Sequence, residues 1–266
     1  MKELLLPKLD LFIEADYSQL EIVMLAQLSK DPQLIQDLTE GRDLHTIRAS
    51  EWLGKPEARI TPEERTAAKR ISFQLQYGAS VNGIARENKI SKTAARIFIN
   101  SYYKRYPQVK VWQDEVFRSV TLNREISTFR TKSGLPAGKS FIIMPTSRRL
   151  GFIEKDTWTK GKTDFYHPNV KNYPVQSLAT GDIVPLAVTF VTKALLNHGF
   201  TSHVVNTVHD SILIDCAKEE VEGVKLTFQA EMEYKVELYL SENYGIKLEV
   251  PLKIDFKQGK TYELNG

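Results

Sequence analysis

The sequence predicts an α+β fold on the basis of three observations. Through residue 122, apolar residues recur at helical spacing, and capping residues and glycines separate the predicted helices. Residues 126–166 are instead rich in Thr, Ser, Gly and β-forming side chains, which predicts strands and hairpins. Two apolar runs flank the polar turn at 209–211 and predict a β-hairpin with that turn at its tip.

Composition sets broad limits. The chain has 266 residues and a formal net charge of +3, which suits one large domain or two interleaved subdomains. No stretch reaches the apolar length that spans a bilayer, so no membrane partner is expected. Cys216 is the only cysteine, so no internal disulfide can form and an intracellular setting is expected. Basic and aromatic residues interleave through 86–110 and 118–162, as in a nucleic-acid groove or a solvated helical surface.

The N-terminal region begins with one strand and continues in helices. Residues 9–15 predict a strand that delivers Asp16 at its end. Helical spacing over 21–38 is interrupted at Asp31-Pro32, which predicts two helices. A further helix is expected to end at Gly54.

Asp43 is expected to cap that helix. The segment that it begins has the form G-x-D-x-H and places His45 in the first turn. We expect His45 to be structural rather than catalytic.

The helix over about 62–78 has clear start and stop signals. Thr61 is the N-cap, Pro62 occupies the first helical position, and Glu64 completes a capping box. Gly78 can adopt the left-handed conformation that ends a helix.

One face of this helix carries Arg65, Lys69, Phe73 and Tyr77, each four residues after the last. At about 100° per residue, successive members drift by about 40°, so the four share one slowly winding face. Two cations followed by two rings suit a nucleotide, with charge for its phosphates and rings for its base and sugar. An amphipathic helix with a half-buried aromatic edge would show the same spacing.

The rest of the chain alternates between helical and strand patterns. The predicted elements are helices over 81–88, 92–106 and 108–122, strands within 126–166, a long helix from Asn172 to His198, a hairpin over 204–215, a helix over 219–243 and a closing strand over 248–256. Pro174 is expected in the first turn of the long helix, with Asn172 as its cap. Pro185 predicts a kink or a junction of two helices.

Three separated segments together resemble motifs A, B and C of the family A DNA polymerases, the bacterial polymerase I type. Residues 16–21 match D-Y-S-Q-x-E, residues 65–78 match R-x-x-x-K-x-x-x-F-x-x-x-Y-G, and residues 208–210 match V-H-D. Their order also agrees, and residues 172–176 resemble N-x-P-V-Q. The resemblance runs from about residue 9 to the C-terminus and is strongest to bacteriophage members.

This resemblance implies the architecture of a polymerase right hand without a thumb. Residues 1–40 and 166–266 are expected to form the palm, an antiparallel sheet with packed helices. Residues 41–165 are expected to form helical fingers and a hairpin region.

The resemblance also implies two-metal-ion catalysis. Asp16, Asp210 and the backbone carbonyl of Tyr17 would hold two Mg²⁺ ions, with Mn²⁺ as a substitute. A lone Asp at a strand end is ordinarily a cap or turn residue, and only the three motifs together favour metal binding. The family usually has an acidic residue after the motif C Asp, whereas this chain has Ser211.

The nucleotide site implied by the resemblance uses both motif A and motif B. Arg65 and Lys69 would bind the triphosphate, with Lys69 also assisting the leaving group. Phe73 would pack on the sugar, and Tyr77 would lie near the template base. Gln19 is expected to contact the nucleotide.

Glu21 and Phe73 favour deoxynucleotides. In the family, the Glu closes the space that a ribose 2′-hydroxyl would need, and the related single-subunit RNA polymerases lack this pair. Phe73 lacks the hydroxyl that lets relatives with Tyr accept a missing 3′-hydroxyl, so we expect discrimination against dideoxynucleotides.

DNA contacts are implied for a further set of polar residues: Gln176, Asn172, His209, Arg148 and Arg149. Gln176 would donate to minor-groove acceptors, His209 would meet the primer terminus, and the two arginines would meet phosphates. Alternatively, Gln176 is an ordinary polar surface residue, His209 is a structural histidine of the hairpin, and the two arginines belong to a solvated turn. Ser147 replaces the glycine of the family's G-R-R, and Ser177 replaces the glycine after its Gln.

The function implied is template-directed DNA synthesis on primer–template DNA with dNTP substrates. Motif A begins at residue 16, so we expect a split polymerase in which another chain supplies the thumb and a 3′–5′ exonuclease; a truncated chain is the alternative. A single-subunit RNA polymerase fragment and a non-catalytic DNA-binding scaffold are competing functions. Glu21 and Phe73 weigh against the first, and the retained aspartates and cations weigh against the second.

Overall fold

The structure, a computed structural model, describes residues 5–262; residues 1–4 and 263–266, which belong to the predicted palm segments, lie outside the described residues. The α-helices are α1 (Leu20–Ser29), α2 (Pro32–Thr39), α3 (Leu44–Leu53), α4 (Pro62–Gln76), α5 (Val81–Asn88), α6 (Lys92–Arg105), α7 (Pro107–Leu122), α8 (His167–Leu178), α9 (Val184–Asn197), α10 (Val221–Phe228) and α11 (Val236–Tyr244). The strands are β1 (Leu11–Tyr17), β2 (Glu125–Arg130), β3 (Pro136–Ile143), β4 (Arg149–Ile153), β5 (Lys155–Asp156), β6 (Thr163–Asp164), β7 (His203–Val208), β8 (Ser211–Cys216) and β9 (Ile254–Gly259).

The chain forms two compact units. Of the described residues, 5–24 and 176–262 form the first, called here the sheet unit, and residues 25–175 form the second, called the helical unit. The predicted mixture of helices with antiparallel sheet is confirmed.

The sheet unit is built on four antiparallel strands in the order β7-β8-β1-β9. Strand residues alternate between the two faces of a sheet, so Ile13, Ala15 and Tyr17 share one face of β1. All three are buried, and the Tyr17 hydroxyl donates to the Met232 carbonyl at 2.7 Å. The other face of β1 carries Glu14 and Asp16.

The long C-terminal helices contain irregular turns. π-Helical segments at Ala179–Ile183 and Gln229–Lys235 connect α8 to α9 and α10 to α11. Pro185 lies in the first turn of α9, directly after the first of these segments. The predicted kink or junction at this proline therefore takes the form of a π-helical segment.

Local capping explains the helices of the helical unit. Asp31 caps α2 and Asp43 caps α3, which ends at left-handed Gly54. Thr61 and Glu64 form the predicted capping box of α4. The predicted helices over 81–88, 92–106 and 108–122 are confirmed to within one residue at each end.

Charged and apolar clusters stabilise the helical unit. Asp37 is fully buried and accepts hydrogen bonds from both Arg105 and Tyr106, so its charge is paired. A separate apolar cluster joins α7, β4 and the start of α8 through the buried residues Val120, Phe152, Phe165 and Val170.

Three predicted boundaries are wrong. The long helix begins at His167, so Pro174 lies inside it and Asn172 is an interior residue, not a cap. The closing strand spans Ile254–Gly259, later than predicted. Asp16 lies within β1, one residue before its end.

One helix also departs from the expectation about membranes. By length and composition alone, His167–Asn197 could cross a bilayer, and it is the one such helix among residues 5–262. One such helix is weak evidence for a membrane, because the core helix of a soluble protein meets the same criteria.

Candidate active site

Strand register brings two aspartates together in the sheet unit. β1 and β8 are antiparallel neighbours, and Asp16 lies opposite Ser211. Asp210 occupies the turn between β7 and β8, and its carbonyl accepts from the Tyr17 backbone N–H at 3.3 Å. The carboxyl groups of Asp16 and Asp210 lie close enough to share a hydrogen bond when one of them is protonated. The two predicted metal ligands thus form one carboxylate pair.

The pair concentrates negative charge. Partial burial, followed by the charge of Asp210, raises the pKa of Asp16 to about 6. Burial also raises the pKa of Asp210, and the neighbouring charge of Glu21 adds to that rise. The Asp210 carboxylate therefore disfavours ionisation of Asp16, and a bound cation would relieve that repulsion.

Two residues beside the pair have left-handed backbones. Gln19, two residues after the end of β1, has φ 56°, and His209, directly before Asp210, has φ 55°. Residues other than glycine rarely adopt this conformation, and such strain often occurs at functional sites. Both backbones hold sharp turns next to the carboxylates.

The carboxyl donors suit magnesium. Among residues 5–262, no group of three or more His, Cys, Asp or Glu side chains is arranged to hold a metal ion. Magnesium usually binds through one or two carboxylates and retains water, so a pair of aspartates is a sufficient protein contribution. Asp16, Asp210 and the Tyr17 carbonyl fit that requirement.

Two charged neighbours of the pair were not predicted from the sequence. Glu14 lies two residues before Asp16 on the same face of β1, and Lys257 on β9 lies opposite Glu14. The Lys257 ammonium is 3.7 Å from Asp16 and 3.6 Å from Glu14. Two-residue alternation along β1 could have indicated Glu14, whereas Lys257 depends on pairing with a distant strand.

In the helical unit, α4 presents its predicted face. Phe73 and Tyr77 are 36% and 44% exposed, so both rings are accessible to a ligand. The Lys69 ammonium lies 6.0 Å from the centre of the Phe73 ring. Arg65 forms a two-point ion pair with Asp43, at 2.6 and 3.2 Å.

His45 lies beneath this face. It is buried, and its ring packs against Phe73 at 6.0 Å between centres. Burial, then the charges of Arg48 and Lys69, lowers the pKa of His45 to about 4. A neutral ring supporting Phe73 agrees with the expectation of a structural histidine.

Gly78 follows Tyr77 for two physical reasons. Its φ of 75° is left-handed, as predicted. A Cβ at this position would also lie 2.5 Å from Cα of Pro168, so no larger residue fits. The glycine therefore fixes the C-terminal end of the cation–aromatic face.

The candidate DNA-binding residues are dispersed. Arg148 and Arg149 follow the tight turn at Ser147, whose φ of 63° explains why the family prefers glycine there. The Arg149 guanidinium lies 4.5 Å over the ring of Phe141. Asn172 is buried, and its Oδ1 has no hydrogen-bond partner among residues 5–262.

The predicted residues thus form two groups, one in each unit. In the sheet unit, the charges of Glu21 and His209 act on Asp210, which pairs with Asp16. In the helical unit, one helix, α4, carries Arg65, Lys69, Phe73 and Tyr77. Gln176 is a half-buried residue of α8.

Comparison with known proteins identifies the family. The family model described as DNA polymerase family A matches residues 1–264. The chain belongs to DNA polymerase family A. DNA polymerase I of Caldicellulosiruptor bescii is 35% identical over 250 residues, which are 93% of this chain and 26% of that relative. The DNA polymerase of Bacillus phage SP01 is 29% identical over 255 residues, which are 94% of this chain and 26% of the phage protein.

A solved structure supports the same fold. The POL domain of Pol1 from M. smegmatis, in complex with DNA primer-template and dNTP, aligns with a TM-score of 0.71 and 24% identity. The match covers 97% of this chain and 41% of that one. The chain spans about a quarter of the length of the curated family A relatives described above. These comparisons give no support to a separate chain carrying a thumb or exonuclease.

Proposed function

We propose that this family A chain carries out template-directed DNA synthesis, adding deoxynucleotides from dNTPs to a primer 3′-hydroxyl. The observation that carries the proposal is the Asp16–Asp210 pair, which β1 and the β7–β8 turn hold in hydrogen-bond contact. Two partly buried carboxylates at one place have little structural value, because burial raises the pKa of both and so disfavours their charged forms. A divalent cation makes such crowding useful.

The residues of the sheet unit would hold the metal and orient the primer. Asp16, Asp210 and the Tyr17 carbonyl supply the oxygen ligands. When bound, two magnesium ions would activate the primer hydroxyl and stabilise the leaving pyrophosphate. His209, beside Asp210 in the turn, would meet the primer terminus, and Gln19 and Glu21 would contact the sugar of the incoming nucleotide.

The α4 face would bind the nucleotide. Phosphoryl transfer depends on positioning and on neutralising charge, which cations supply directly. Lys69 would bind the phosphates and assist the leaving group, and Arg65 would exchange its pairing with Asp43 for the triphosphate. Phe73 would pack on the sugar, and Tyr77 would lie near the template base.

DNA contacts complete the proposal. Arg148 and Arg149 would bind phosphates of template or primer, since their turn leaves both exposed. Gln176 would donate to minor-groove acceptors common to all base pairs. Asn172, whose buried Oδ1 lacks a partner among the described residues, would help to hold the backbone near Gln176.

Primer extension tests the proposal. The chain would be assayed with primer–template DNA, Mg²⁺ and four dNTPs, together with Asp210→Asn and the control Glu222→Gln, an exposed carboxylate of α10. We expect extension by the parent chain and by the control, and a loss of at least about 1,000-fold in Asp210→Asn. Dideoxynucleotides should be incorporated far less readily than deoxynucleotides, because Phe73 lacks a hydroxyl.

Several outcomes would contradict the proposal. Extension that survives Asp210→Asn would remove the carboxylate pair from the mechanism. Mg²⁺-independent binding of DNA with no extension by any variant would favour the non-catalytic scaffold. Comparable use of dideoxynucleotides and deoxynucleotides would contradict only the proposed role of Phe73.

A further inference from the structure

A third carboxylate is fixed beside the proposed metal ligands. Glu14 and Asp16 share one face of β1, and the Glu14 side chain is only 13% exposed. Its Oε1 accepts from the Ser211 hydroxyl at 2.9 Å, and its Oε2 lies 3.6 Å from the Lys257 ammonium. Two separate strands, β8 and β9, therefore hold this carboxylate in one place.

Lys257 is shared between two carboxylates. It lies directly opposite Glu14 in the β1–β9 register, and its ammonium is 3.7 Å from Asp16 Oδ2. An ammonium this close to Asp16 repels any other cation that Asp16 is to bind. Glu14 supplies a compensating negative charge on the same face of the sheet.

Ser211 has a clear part in this arrangement. As the first residue of β8, it lies opposite Asp16, and its hydroxyl also bonds to the Val208 carbonyl at 3.1 Å. The position beside Asp210 thus contributes a hydroxyl that orients Glu14, and the negative charge comes from β1 instead of β8.

We propose that Glu14 and Lys257 form an internal charge pair that positions Asp16 and sets its affinity for a divalent cation. Glu14 draws the Lys257 ammonium away from Asp16 and adds negative charge beside the carboxylate pair. Glu14 acts through Lys257 and Asp16 and is a positioning residue. The inference rests on the proposed function, because it concerns the same cation site.

Direct Mn²⁺ binding tests this pair without any need for activity. The full chain would be titrated with Mn²⁺ and followed by electron paramagnetic resonance, without DNA or nucleotide. We expect Glu14→Gln to weaken binding about tenfold and Lys257→Gln to strengthen it several-fold, as one added or removed charge at this distance requires. The double variant has the net charge of the parent and should bind Mn²⁺ within about threefold of it.

The sign of the Lys257 effect makes the test decisive. A folding defect can weaken Mn²⁺ binding but cannot strengthen it, so Lys257→Gln separates charge from structural damage. Unchanged binding in Glu14→Gln, or no tightening in Lys257→Gln, would overturn the inference.

Asp210→Asn in the same titration separates the inference from the proposed function. If Asp210→Asn loses Mn²⁺ binding while Glu14→Gln does not change it, only the inference fails. If Asp210→Asn binds Mn²⁺ as well as the parent, the metal site of the proposed function fails, and the inference fails with it.

Discussion

The two candidate regions concentrate opposite charges, and each shows it in a shifted pKa. In the sheet unit, burial and then the neighbouring carboxylate of Asp210 raise the pKa of Asp16 to about 6. Around α4, burial together with the cations Arg48 and Lys69 lowers the pKa of His45 to about 4. In the proposed function, each region carries charge of the sign opposite to that of its ligand, and the unliganded protein is less stable as a result. The difference between the regions fits the proposal of a metal-cation site in one and a phosphate site in the other.

The regions also differ in how they hold their residues. Asp16 and Asp210 are held by strand register and a strained turn, and both are partly buried. The α4 side chains are brought together by helical spacing and project from an exposed face. Substitutions should therefore affect metal binding in one region and nucleotide binding in the other.

Substitution of Lys69 is expected to give the largest effect on nucleotide binding without an effect on metal binding. Lys69→Met should raise the KM for dNTP about 100-fold, because a cation paired with the triphosphate of the bound nucleotide contributes about 3 kcal/mol to its binding. Mn²⁺ affinity in the absence of nucleotide should not change. Steady-state kinetics on primer–template DNA would measure the first, and a Mn²⁺ titration the second.

Arg96→Met is the matched control, since Arg96 is an exposed cation of α6, a different helix of the same unit. It should alter the KM for dNTP by less than about threefold, as expected for a surface charge. Equal effects of the two variants would show that general positive charge, and not the α4 face, binds nucleotide.

A stability difference of about 2 kcal/mol is expected at the end of α4. Gly78→Ala places a Cβ 2.5 Å from Pro168 and adds the cost of a left-handed backbone. Gly134→Ala is the control, because Gly134 has φ 78° and no atom within 4 Å of the added Cβ. Urea unfolding should show Gly78→Ala to be less stable than Gly134→Ala by about 2 kcal/mol. Similar losses would mean that Pro168 moves away at little cost.

The sequence was sufficient where the determining contacts are local. The start of α4 follows from Thr61, Pro62 and Glu64, which lie within four positions of one another. Asp43 and Gly54 likewise determine both ends of α3. Capping groups interact with the backbone next to them, so their pattern can be read directly.

The sequence was insufficient where distant residues decide. The helix α8 begins at His167, whose ring stacks on Phe117 at 3.6 Å, and it continues through Pro174. Local rules offer two candidate starts, at Pro168 and at Pro174, and do not decide between them. The contact between Asp16 and Lys257 likewise depends on pairing between β1 and β9, which lie at opposite ends of the chain. Even the Asp16–Asp210 pair was predicted by resemblance and not by periodicity.

His45 should make the helical unit less stable in acid. Its folded pKa of about 4 is below the value of 6.5 for an unperturbed histidine, so the unfolded chain binds the extra proton between these pH values. The associated stability is complete above pH 6.5 and is lost as pH falls towards 4. Relative to His45→Gln, the parent should lose about 2 kcal/mol across this window, as measured by urea unfolding at several pH values. If the free energies of unfolding of the two proteins changed in parallel with pH, the assignment of this loss to His45 would be contradicted.

Asp16 should show the opposite pH dependence. Its folded pKa of about 6 lies above the ordinary value of 3.8, so the folded chain holds the proton more tightly. Its contribution to stability is therefore complete below about pH 4 and is lost as pH rises through 6. Without divalent cations at pH 8, Asp16→Asn should be more stable than the parent by about 1 kcal/mol, a value reduced for partial exposure of the carboxylate. Below pH 4 the stabilities of the two proteins should converge.

At pH 8, added Mg²⁺ should stabilise the parent alone, because only the folded parent retains both carboxylates. If Asp16→Asn is instead the less stable protein at pH 8, the carboxylate pair is a structural contact, and the contrast between the two regions does not hold.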